Sequence, residues 1–106
     1  MKITTTAMIS GSFVRMGGNI KQVTVILDLL NEGVPTLAGF INLVYLNEAK
    51  WCDPADLDSY SWQGFGNGTY RYSFTDDIPG VRVQVRFQAY DRRGVFVQAE
   101  AILREE

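Results

Sequence analysis

Between Val81 and Leu103 the chain alternates apolar and polar residues so strictly that this stretch fixes an antiparallel hairpin before anything else is read. Val81, Val83, Val85, Phe87 and Ala89 fall on one side, and Arg82, Gln84, Arg86, Gln88 and Tyr90 on the other. A period of two is the mark of a half-buried strand. After Asp91-Arg92-Arg93-Gly94 the alternation resumes, with Val95, Val97, Ala99, Ala101 and Leu103 inward and Phe96, Gln98, Glu100, Ile102 and Arg104 outward. Asp91 suits the first position of a type I turn and Gly94 the left-handed position of a G1 bulge, so Asp91 pairs with Val95. Counting back from that pair sets Arg86 opposite Glu100 on the wet face, a pair worth a few tenths of a kcal/mol.

A chain of 106 residues, 46% of them apolar, is expected to form one domain, residues 1–106, around a single core. Ten basic residues are mixed among twelve acidic ones for a net charge of −2, so no overall field draws a polyanion and nucleic acid is not expected as a partner. No apolar run is long enough to span a bilayer as a helix, and the start of the chain lacks the apolar core of a signal peptide. Cys52 is the sole cysteine and has no intrachain disulfide partner. Together these features suggest a cytoplasmic protein of bacterial or phage type with no membrane association.

Residues 3–14 are rich in β-formers but broken by Ser10-Gly11-Ser12, which predicts a strand with a bulge or bend. Met16-Gly17-Gly18-Asn19 turns the chain, and a strand beginning near Ile20 sets Val23, Val25, Leu27 and Leu29 on one face. Asn31-Glu32-Gly33 resembles a bulged turn, so this strand is expected to pair with the next, Leu30 facing Val34. That register buries Leu37, Ile41 and Leu43, and leaves Ile26, Ala38, Phe40, Val44 and Leu46 outward. An outward face so apolar calls for a cover. A helix over 36–50 is the competing assignment, since Leu37, Ile41, Val44, Tyr45 and Glu48 also recur at helical spacing. Gly39 and the β-branched content favour a strand.

From Lys50 the alternation is lost. Asp53 is a good N-cap, Pro54 suits the first helical position, and a short helical turn is expected near 54–59. Asn67-Gly68 then signals a type I′ hairpin that sets Phe65 opposite Tyr70, with Tyr70, Tyr72 and Phe74 on one face and Arg71 and Ser73 on the other. Asp76 to Gly80 turns the chain into the hairpin described first. About seven antiparallel strands joined by short turns predict an all-β antiparallel sandwich. A closed barrel is the alternative, or an α+β fold if 36–50 is helical.

The chain has no histidine, which removes the usual general base and the commonest metal ligand. Cys52 sits among Trp51, Asp53 and Asp56, with no histidine in the chain to activate it, so it is expected to be inert. Asp53, Asp56 and Asp58 lack the glycine and distal glutamate of a calcium loop. Gly64-Phe65-Gly66-Asn67-Gly68 leads into a strand rather than a helix and is no phosphate loop. No metal or cofactor is therefore expected. Arg71, Arg82, Arg86 and Arg104 line polar strand faces, either as a solvated surface or as a basic patch for an acidic partner.

Seven of the thirteen aromatic residues fall between positions 51 and 74, and Trp62 lies on the polar side of its strand. Trp, Tyr and Arg dominate binding hot spots. The leading expectation is a non-enzymatic interaction protein, an inhibitor, adaptor or assembly subunit, that binds another protein through Trp51, Tyr60, Trp62, Phe65 and Arg71. Ile26, Phe40, Val44 and Leu46 would join two copies as a homodimer. A carbohydrate-binding module using the same Trp and Tyr residues is the second possibility, and a small barrel enzyme with a carboxylate base the third. The turn assignment is directly testable. Gly94→Val should destabilise the fold by about 1–2 kcal/mol in denaturant melts, and a neutral result would exclude a left-handed residue there.

Overall fold

A computed structural model of the chain describes residues 6–30, 37–54, 63–64, 69–91 and 96–106. Eight strands form one continuous sheet: β1 (Thr6–Gly17), β2 (Ile20–Leu30), β3 (Leu37–Asn47), β4 (Lys50–Cys52), β5 (Gln63–Gly64), β6 (Thr69–Asp77), β7 (Arg82–Asp91) and β8 (Phe96–Glu105). Their spatial order is β4-β3-β7-β8-β1-β2-β6-β5. The fold is all-β, as expected. In place of two stacked sheets, the described strands make one sheet that curls. It is mixed rather than purely antiparallel, because β1 runs parallel to β8 through Ser12↔Arg104 and Phe13↔Glu105. The helical alternative for 36–50 is excluded over β3. The short helical turn near 54–59 falls almost wholly outside the described residues.

The curl follows from having one apolar face. Val23, Val25, Leu27 and Leu29 of β2, Val83, Val85 and Phe87 of β7, and Val97 and Leu103 of β8 are buried with Phe13, Leu43, Tyr45, Tyr72 and Phe74. Each such burial contributes about 1.5–3 kcal/mol. A single sheet covers a face of this kind only by wrapping it inward. The two flanks of the sheet meet where β3 leans on β6. The Tyr45 and Phe74 rings lie 5.2 Å apart, the Tyr45 hydroxyl donates to Asp76 Oδ2, and Asn47 Nδ2 donates to the Asp77 carbonyl at 3.0 Å. Lys21 continues the inward phase of β2 and is fully buried. Its ammonium donates to the Ile78 carbonyl and stands 5.7 Å from the Phe13 ring. Burial, reinforced by the Arg15 charge, holds its pKa below the ordinary lysine value, against the opposing pull of Asp77 and Glu105.

The hairpin of β7 and β8 has the expected register, with Arg86 opposite Glu100 and Tyr90 opposite Phe96. The turn at 92–95 lies outside the described residues. Val81, expected inward, is 70% exposed because the strand begins only at Arg82. The largest correction concerns β2. It pairs with β1 and β6 along its length, not with β3, which pairs with β7 and β4. The local hairpin with β1 and the long-range pairing with β6 occupy both edges of β2, leaving none for β3. A second correction is one of register. Gly64 faces Tyr70, one residue away from the tight Asn67-Gly68 turn that would set Phe65 there. A one-residue slip exchanges the two faces of a strand.

The break at Ser10-Gly11-Ser12 is a close backbone approach with no change of register; the bulge sits later, between Arg15 and Gly17. Gly11 has φ 147°, and a Cβ there would lie 2.0 Å from the Thr24 carbonyl oxygen. Gly11→Ala should therefore cost about 2–4 kcal/mol of stability in denaturant melts; a loss within about 0.5 kcal/mol would contradict the β1–β2 register. Tyr45 supplies a test of the contact between flanks. Burial first, then the hydrogen bond and charge of Asp76, raise its pKa well above the ordinary value of 10.0. A raised pKa means that its stabilisation is complete below pH about 10 and is lost as pH rises toward the folded-state value. Tyr45→Phe should cost about 1–3 kcal/mol at neutral pH, and its deficit should shrink above pH about 10. A deficit independent of pH would contradict the assignment.

Candidate functional site

Side chains turned away from the core make the convex face, and the half built from β4, β3, β7 and β8 concentrates the groups suited to binding. The hairpin of β3 and β4 supplies its edge. Glu48 and Ala49 form a two-residue turn with φ of 50° and 66°, pairing Asn47 with Lys50, Leu46 with Trp51 and Tyr45 with Cys52. Both turn residues occupy the left-handed region without the Asn or Gly that normally signals it. The sequence thus gave no cue to β4, although β4 is what places Trp51.

Trp51 lies diagonally across β3 from Arg86, whose guanidinium carbon is 4.2 Å from the indole centroid. Arg86 is held from its other side by Glu100, Nε to Oε1 at 2.8 Å, and Gln84 Nε2 donates to the second oxygen of Glu100 at 3.4 Å. The ion pair is partly exposed and contributes only tenths of a kcal/mol. Trp51 is half-buried, and a cation over its ring adds on the order of 1 kcal/mol. Their combined effect is positional: Trp51 and Arg86 are ordered before any ligand arrives. Beside them a groove of about 390 Å³ is lined by Leu46, Glu48, Ala49, Pro79, Gly80, Val81, Arg82, Gln84 and Ile102. Ile102 is 51% exposed.

Of the residues proposed from sequence, Trp51, Val44 and Leu46 come together here, although they were assigned to two different roles. Arg71 lies on β6, toward the opposite end of the strand order, 3.2 Å from Gln63 Oε1. Ile26 faces Arg71 and Ser10. Along the strand order three strands lie between it and Val44 and Leu46 of β3. Tyr60, Trp62, Phe65 and the side chain of Phe40 lie outside the described residues. Sequence reasoning passed over Ile102, Gln84 and Val81 as parts of a site. The β7–β8 register that places the first two was available, but the β3–β7 pairing was not.

Cys52 is half-buried, with its thiol 3.6 Å from the Lys50 carbonyl. Among the described residues no group of three metal-ligating side chains occurs, and no helix is long and apolar enough to cross a membrane. The one close Tyr–carboxylate pair described above, Tyr45 with Asp76, borders neither the groove nor the cleft beside it, which is lined by Val81, Arg82, Arg104 and Glu105. Its raised tyrosine pKa runs opposite to what a general base at neutral pH requires. No family model, no curated protein and no solved structure matches this chain.

Proposed function

We propose that the protein is a non-enzymatic binding module that engages another protein through the convex face of β4, β3, β7 and β8. The observation that carries this reading is the stack of Arg86 on Trp51, fixed by Glu100 beside a groove of mixed apolar and charged lining. Trp and Arg are the residues most enriched at interface hot spots, and ordering them in advance removes part of the entropic cost of association. Inhibitor, adaptor and assembly subunit are all roles such a face can fill.

A carbohydrate module is the weaker reading. Sugar stacking needs an open indole face, and Arg86 occupies one side of Trp51. Affinity capture from the organism that makes the protein tests the choice. The wild type should retain one stoichiometric protein, and Trp51→Ala should weaken that retention about tenfold or more while the fold stays intact. Undiminished capture by Trp51→Ala would overturn the assignment, and glycan binding with quenched tryptophan fluorescence would replace it with the carbohydrate reading.

A further inference from the structure

Arg82 and Arg104 stand directly opposite each other on β7 and β8, both exposed on the convex face. Like charges placed so destabilise a sheet. Neither arginine has an ion-pair partner among the described residues. The neighbouring acids are engaged elsewhere. Both oxygens of Glu100 are taken by Arg86 and Gln84, Glu105 pairs with Arg15 at 3.3 Å, and Glu106 accepts from Ser12 Oγ at 3.0 Å. The cleft of about 520 Å³ lined by Val81, Arg82, Arg104 and Glu105 shares Val81 and Arg82 with the groove already described. The two form one surface, cationic at the arginine end, apolar in the middle and bounded by Glu48 at the other end.

We propose that this surface binds an acidic segment of a partner protein, a carboxylate seated between Arg82 and Arg104 and an adjacent apolar side chain resting on Leu46, Val81 and Ile102. The proposal rests on the protein-binding reading of the same face and names its ligand class. Two arginines at directly opposed positions on one cleft can share one carboxylate, which would relieve the repulsion between them. A nucleic acid fits less well. Its evenly spaced phosphates would run from the arginines onto Glu48, and Leu46, Val81 and Ile102 between them offer no charge.

Fluorescence anisotropy with three labelled probes tests this: a peptide with a Leu-Asp-Asp core, its Leu-Asn-Asn counterpart, and a single-stranded oligonucleotide. The acidic peptide should bind, more weakly as salt rises, and about tenfold or more tighter than the amide peptide. R82Q and R104Q should each lower its affinity about tenfold, yet melt at or above the wild-type temperature because a like-charge pair has been removed. That combination separates a binding role from a structural one. Equal binding of the two peptides, no binding of the acidic peptide, unchanged affinity in both arginine variants, or binding of the oligonucleotide alone would overturn the proposal. If it fails while Trp51→Ala still weakens capture of the native partner, the broader protein-binding assignment stands without it.

Discussion

Burial of one continuous apolar face, which the described strands cover by curling on themselves, governs this molecule. The long strands contribute inward residues at a period of two, and among the described residues the surface that covers them is the sheet itself. The wrapping brings β3 against β6, where the rings of Tyr45 and Phe74 meet and Asn47 reaches the Asp77 backbone. Side chains buried at about 1.5–3 kcal/mol each outweigh surface pairs such as Arg86–Glu100, at tenths of a kcal/mol. The core therefore sets the curvature, and the convex face inherits whatever arrangement that curvature imposes.

The end of this core shows how the same constraint handles a charge. Lys21 occupies an inward position at the start of β2, where another valine or leucine would extend the apolar run. Its stem packs inside while the ammonium is satisfied by the Ile78 carbonyl over the Phe13 ring. Ile78 is itself buried and donates its N–H to the Asn19 carbonyl at 2.9 Å. The segment leading from β6 to β7 is thus tied to the turn between β1 and β2, which fixes the rim where Pro79, Gly80 and Val81 border the groove.

Local pattern made much of this legible. Alternation identified β2, β6, β7 and β8 and their inward faces, and turn spacing gave the Arg86–Glu100 register. What could not be read was partnership between distant segments. The parallel contact of β1 with β8 and the pairing of β2 with β6 leave no trace in local spacing, whereas Asn31-Glu32-Gly33 offered a plausible hairpin that the global sheet does not use. The candidate site suffered for the same reason. Trp51 stood out as an aromatic residue and Arg86 as an outward charge, but their meeting depends on β3 lying beside β7 and on a left-handed turn at Glu48-Ala49 that carries no glycine.

Cross-strand nuclear Overhauser effects offer the most direct test of the single curled sheet. Backbone contacts should join Val25 to Tyr72 and Ser12 to Arg104, and the ring protons of Tyr45 should see those of Phe74. Backbone contacts instead between Leu30 and Val34, continuing along a hairpin of residues 20–30 with 34–46 and without the Tyr45–Phe74 contact, would contradict both the topology and the site built on it.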